Sequence, residues 1–134
     1  MVVDSSALLA VLFGEPGTES LLDAFDSPER KIMSAVNRLE SEIVIAARKG
    51  DLGSAALARF MAESDIEVIA FDASQSEIAL DAWRRFGKGR HPAALNMGDC
   101  AAYALSRLTG QALVCVGDDF ARTDIATRSP AYPR

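Results

Sequence analysis

The chain has 134 residues, 49% of them hydrophobic, with a net charge of −5 and a single histidine. That is enough for one domain with a real core and short for two. No apolar run reaches the roughly 20 residues that a membrane span needs, and the two cysteines, Cys100 and Cys115, match neither a disulfide framework nor a zinc motif.

The opening run from Met1 to Asp4 reads as a strand, and helices follow over Ser5 to Phe13, which Ser6 is placed to open, and over Thr18 to Phe25. A second strand is predicted over Lys31 to Ser34, then helices over Ala35 to Lys49 and Ser54 to Glu63, parted at Gly50. Glu67 to Phe71 reads as a third strand, Ser74 to Phe86 as a helix, Gly98 to Thr109 as a helix ended by Gly110, and Ala112 to Val116 as the last strand. The tail from Ser129 to Arg134 carries Pro130 and Pro133, cannot continue regular structure and is expected to be mobile. This alternation predicts an α/β fold, a central parallel sheet covered by helices. The opening residues also lack the basic flank of a signal peptide, so a cytoplasmic location without membrane attachment is expected.

In such a sheet, ligands bind in the crevice outside the carboxyl ends of the strands. Asp4 ends the first strand, Asp118 and Asp119 follow the last, Asp99 begins a helix, and Glu40 lies within one. Taken singly, each has an ordinary role: Asp4 as a helix cap, Asp99 as an acid meeting a helix dipole, Asp118 and Asp119 as turn formers. Glu40 is different, because Val36, Ile43, Val44 and Ala47 share its helical face and a charge on an apolar stripe is costly unless paired or metal-bound. Glu42 shares its face with Arg38 and reads as solvated. Carboxylates from four separate segments at one sheet edge repel one another unless a cation lies between them, and oxygen-only ligands suit Mg²⁺ or Mn²⁺. The pattern points to a metal-dependent enzyme acting on phosphate esters.

The acidic balance argues against nucleic acid, but Arg84, Arg85, Lys88, Arg90 and His91 form a local basic run. It reads either as a solvated helix end or as a guide for a phosphate backbone. Trp83 is assigned to core or interface packing, Tyr103 and Ser106 to the same cleft as Asp99, and Cys100 to a direction away from it.

With the acids placed, the chain resembles the PIN-domain ribonucleases, and within them the VapC toxins of type II toxin–antitoxin pairs. The resemblance rests on Val2-Val3-Asp4-Ser5-Ser6, Met33-Ser34-Ala35-Val36-Asn37-Arg38-Leu39-Glu40, Leu95-Asn96-Met97-Gly98-Asp99-Cys100 and Val116-Gly117-Asp118-Asp119-Phe120, and spans the full length, residues 1–134, as one PIN domain. It implies a three-layer fold, with Asp4 and Asp99 as principal metal ligands and Glu40 as a third acid. A one-residue offset from the family pattern makes Asp118 the expected fourth member, with Asp119 the alternative, and Ser6 is implied to orient Asp4. It also implies Mg²⁺-dependent endoribonuclease activity leaving 5′ phosphate and 3′ hydroxyl ends, a VapB-type antitoxin as partner, and a homodimer touching through the helices after Thr18 and Ser54. Two readings compete: a PIN-like module that only binds proteins, and a phosphoryl-transfer domain. Ser6 stands where a haloacid-dehalogenase-like enzyme needs a second Asp.

Overall fold

The computed structural model describes residues 1–130; the part of the expected mobile tail from Ala131 onward lies outside the described residues. Five parallel strands form one sheet in the order β3-β2-β1-β4-β5: β1 (Val2–Val3), β2 (Lys31–Ser34), β3 (Ile66–Ile69), β4 (Leu113–Val114) and β5 (Thr127–Arg128). Between them lie α1 (Ser5–Leu12), α2 (Glu19–Asp26), α3 (Ala35–Glu63), α4 (Ala73–Phe86) and α5 (Met97–Thr109), with a short 3₁₀ turn at Phe120–Arg122. The fold is α/β, as expected. Adjacent strand residues point to opposite faces, which divides the core in two. Val3, Met33 and Val114 pack with Leu8, Phe25, Ile45 and Leu57 on the α1–α3 side. Val2, Ile32 and Leu113 pack with Leu95, Tyr103 and Leu105 on the α4–α5 side.

Gly50 takes φ 61° and ψ −155°, outside the helical region, so α3 is two helices that meet at a kink there, the break that the sequence reading places at this residue. One strand differs from that reading. β5 was missed. It has only two residues, and Arg128 on it is held by a bidentate pair to Glu29 at 2.8 and 3.1 Å, a long-range contact with no local signature.

The chain steps from β1 outward to β3 and returns to place β4 on the other side of β1. Strand order therefore reverses between β1 and β4, where α/β sheets open a crevice at their carboxyl ends. Asp4 stands at that point, its backbone N–H donating to the Val114 carbonyl at 2.9 Å.

Candidate active site

Asp4 is 3% exposed and caps α1: its Oδ2 accepts the Ser6 N–H at 3.1 Å and the Ser6 hydroxyl at 2.5 Å. Ser6 Oγ in turn accepts the Val116 N–H at 3.0 Å, so one hydroxyl ties the ends of β1 and β4 together beneath the carboxylate. Glu40 comes from the first turns of α3, where its Oε1 accepts the Ser5 hydroxyl at 2.5 Å. The apolar stripe predicted around Glu40 is not uniformly buried, since Ile43 is 59% exposed. Its carboxylate instead lies against α5: a Cβ added at Gly98 would stand 2.5 Å from Glu40 Oε2, so a larger residue there would push the carboxylate aside. Asp99 sits one residue on, in a capping box with Asn96, its Oδ2 accepting the Asn96 N–H at 2.9 Å. Among the described residues, Asp4, Glu40 and Asp99 thus each have one oxygen anchored by a local donor and the other without a hydrogen bond.

The three carboxylates share one electrostatic neighbourhood. Burial is the main cause that pushes the Asp4 carboxyl up to about 6, and the charges of Asp99 and Glu40 add to it. Asp99 is also raised, by burial first and then by Glu40 and Asp119. Burial pushes the Cys115 thiol up to about 12, helped by Asp4, Asp119 and Asp99, which places this inert thiol beneath the cluster. Of the two consecutive acids, it is Asp119 whose charge reaches Asp99. Asp118, the member preferred from the family offset, is 75% exposed at its side chain and pairs with Arg122 at 3.3 Å. Gly117 before them takes a positive φ of 92°, and Asp119, itself exposed, is the one whose charge is felt at Asp99 and Cys115. Among the described residues none of Asp4, Glu40, Asp99 and Asp119 forms a salt bridge. Nor do any three His, Cys, Asp or Glu side chains converge to ligand distance as they stand, each carboxylate being turned to its own donor. An oxygen-only donor set with unneutralised charge and one free oxygen per carboxylate is chemically suited to a hard divalent cation.

The basic run separates into two kinds of residue. Arg85 pairs with Asp124 at 2.9 Å and reaches Tyr103, Arg90 stacks on Trp83, and His91 Nδ1 accepts the Ala93 N–H at 3.0 Å. Arg84 and Lys88 are exposed, and their side chains make no hydrogen bond or ion pair among the described residues. Tyr103 and Ser106 do not line the cleft: Tyr103 donates to Asp124 at 2.5 Å, and Ser106 to the Gln111 carbonyl at the far end of α5. Cys100 is buried and lines an apolar groove, with the charge of Asp99 still felt at its thiol.

A family model described as PIN domain matches residues 1–126. The chain belongs to the PIN-domain family. A ribonuclease VapC from Mycolicibacterium smegmatis is 43% identical over 126 residues, covering 94% of this chain and 98% of that protein. Ribonuclease VapC30 of Mycobacterium tuberculosis is 42% identical over 127 residues, covering 95% and 97%. Among solved structures, the VapC20 toxin of Mycobacterium tuberculosis, described as cleaving the sarcin-ricin loop, matches with a TM-score of 0.73 at 19% identity over 90% of this chain and 92% of that one. At that identity the likeness shows the fold alone.

Sequence reading of this PIN domain missed Asn37. It is fully buried, and its Nδ2 donates to Ser5 Oγ at 3.2 Å and to the Gly98 carbonyl at 3.0 Å, so one amide joins the segments carrying Asp4, Glu40 and Asp99. Its Oδ1 is left without a partner. The available signal was its spacing, one turn before Glu40 on the same helix face. Asn37→Ala should lower stability by about 2 kcal/mol, because Ser5 and the buried Gly98 carbonyl lose their donor; urea unfolding with an unchanged midpoint would show that the bridge contributes nothing. For the basic run, Arg84→Gln with Lys88→Gln should flatten the salt dependence of RNA binding, each by about one unit of slope. Arg85→Gln should instead lower thermal stability by releasing Asp124, and an Arg85 variant with normal stability but lost RNA affinity would reverse that division.

Proposed function

We propose that this PIN domain, residues 1–134 as one unit, is the toxin of a type II toxin–antitoxin pair and hydrolyses RNA with a divalent cation, Mg²⁺ or in its place Mn²⁺. The observation that carries the reading is the acid cluster: Asp4, Glu40, Asp99 and Asp119, drawn from separate segments and without a cationic side chain among them. The names of relatives at 42 to 43% identity, VapC ribonucleases, support it, as do solved toxin–antitoxin complexes of the same fold. Asp4, Asp99, Glu40 and Asp119 would hold the ion, with Asp118 left to the Arg122 pair. Bound there, the cation supplies Lewis-acid polarisation and neutralises charge at the phosphate. The chain's own part is positional: Ser6 fixes Asp4, Ser5 and Asn37 fix Glu40, and Asn96 fixes Asp99, while Arg84 and Lys88 hold the RNA backbone.

A VapB-type antitoxin is the natural inhibitor, since an Arg guanidinium can engage these carboxylates bidentately. The same reading includes a homodimer and a cytoplasmic location; no described helix is long and apolar enough to cross a membrane. Thermal unfolding with and without Mg²⁺ or Mn²⁺ tests the cation site. Millimolar cation should raise the midpoint of the parent and leave Asp99→Asn unmoved. Equal shifts in both proteins would place the ion elsewhere.

A further inference from the structure

Arg122 closes the 3₁₀ turn that Asp119 opens, its N–H donating to the Asp119 carbonyl at 3.2 Å. Side chains three apart on a 3₁₀ turn lie over one another, so Arg122 leaves the chain on the same side as Asp119. Its guanidinium is held at two points. One nitrogen donates to the Pro92 carbonyl at 3.1 Å and the other to Asp118 Oδ2 at 3.3 Å. The first contact is a firm anchor, because the loop carrying Pro92 is pinned by the fully buried Ala93 and Leu95, and the Lys88 N–H donates to the Leu95 carbonyl at 3.0 Å. The second is weak: Arg122 is 49% and Asp118 75% exposed at the side chain, and such a pair is worth little in water. Arg122 thus bridges the turn that bears Asp119 and the loop that bears Lys88, with only two of its five N–H donors hydrogen-bonded.

Electrostatics gives this cation a task. When Asp4, Glu40, Asp99 and Asp119 are all ionised, one divalent ion offsets half of their charge and leaves the rest to repel an incoming phosphodiester. A cation at the rim relieves that repulsion. A tie between loop and turn needs only the Pro92 contact; the Asp118 contact adds an anion to a guanidinium whose planar fork also fits a phosphate bidentately. We propose that Arg122 receives a backbone phosphate of the RNA beside the acid cluster, and that Asp118 is the internal anion which this phosphate displaces. This rests on the ribonuclease reading above. Asp118, left outside the cation set, then acts as a competitor that tempers RNA affinity, while the Pro92 carbonyl keeps the guanidinium in place throughout the exchange.

A double-mutant cycle tests the exchange. Affinity for a short fluorescein-labelled single-stranded RNA is read by anisotropy at two ionic strengths, with Asp4→Asn present throughout to limit cleavage. Arg122→Gln should bind about tenfold more weakly and lower the salt slope by about one. Asp118→Asn should bind about threefold more tightly, because the phosphate no longer has a carboxylate to displace, and that gain should vanish when Arg122→Gln is also present. Thermal unfolding checks that each protein folds. Asp118→Asn gives up only an exposed pair, so its gain in affinity remains a test even if Arg122→Gln does not fold, and no gain would overturn the proposal. Equal gains with and without Arg122 would mean that Asp118 repels RNA by its own charge, and would overturn it too. So would a folded Arg122→Gln that binds RNA normally, whether it loses only thermal stability, as a tie between loop and turn, or loses a co-expressed antitoxin, as a contact for a protein carboxylate. Absence of both RNA binding and RNA cleavage in the parent would instead refute the ribonuclease reading on which the proposal stands.

Discussion

Asp99→Asn is expected to reduce RNA cleavage by about a thousandfold while leaving the protein folded. Loss of one charged member of a cation-binding set removes several kcal/mol of charge stabilisation, and each 1.36 kcal/mol is about tenfold in rate. The fold should survive because an asparagine amide oxygen can still accept from Asn96, preserving the capping box. Asp4→Asn should be equally inactive but more stable than the parent in chelator. The Asp4 carboxyl is pushed up to about 6 from an ordinary value of 3.8, chiefly by burial. An acid raised in this way favours the folded state while protonated; that contribution is fully present below about pH 4 and is lost as pH rises through about 6. At pH 8 the buried charge therefore costs the parent about 3 kcal/mol, an upper figure for what Asn recovers. Denaturant unfolding at pH 4 and pH 8 should show a gain for Asp4→Asn only at the higher pH. A gain of the same size at both would mean that charge is not the cause.

The two consecutive acids should part company. Asp119→Asn is expected to lower turnover by about a hundredfold, because its charge lies within reach of Asp99. Asp118→Asn should stay close to the parent, since that side chain is exposed and its pair with Arg122 is of the surface kind, worth little. Single-turnover cleavage of one RNA by the two variants decides between them. The reverse order would restore the assignment drawn from the family pattern.

Asp4 and Asp99 were legible in the sequence because a strand end and a helix start, both short-range features, place them, whereas Glu40 was picked out by its helix face but is held by Ser5 and Gly98, far along the chain. The strand–helix alternation was legible for the same reason, and the division of the core follows from period-two strands such as Val2-Val3. Asp119 entered only as the alternative to Asp118, because the nearness of its charge to Asp99 is set by the folded chain and no periodicity reports it. The tasks of the basic run were not legible. Arg85 is claimed by Asp124, Arg90 by Trp83 and His91 by the Ala93 amide, and of these Asp124 lies 39 residues from its partner. Asn37 was not legible, since an amide beside Arg38 looks like surface until Ser5 and Gly98 are brought against it. β5 depended on a contact across 99 residues, between Arg128 and Glu29.

The most direct measurement is the chemistry of the cut ends. Purified protein free of antitoxin is incubated with end-labelled single-stranded RNA, in Mg²⁺ and in EDTA, and the termini of the products are identified. Hydrolysis by the acid cluster predicts cleavage only with the divalent cation, leaving 5′ phosphate and 3′ hydroxyl ends, and none by Asp99→Asn. Products bearing 2′,3′-cyclic phosphates, formed equally well in EDTA, would show that the RNA's own 2′ hydroxyl is the nucleophile and that the acids of this PIN domain are not the catalytic centre.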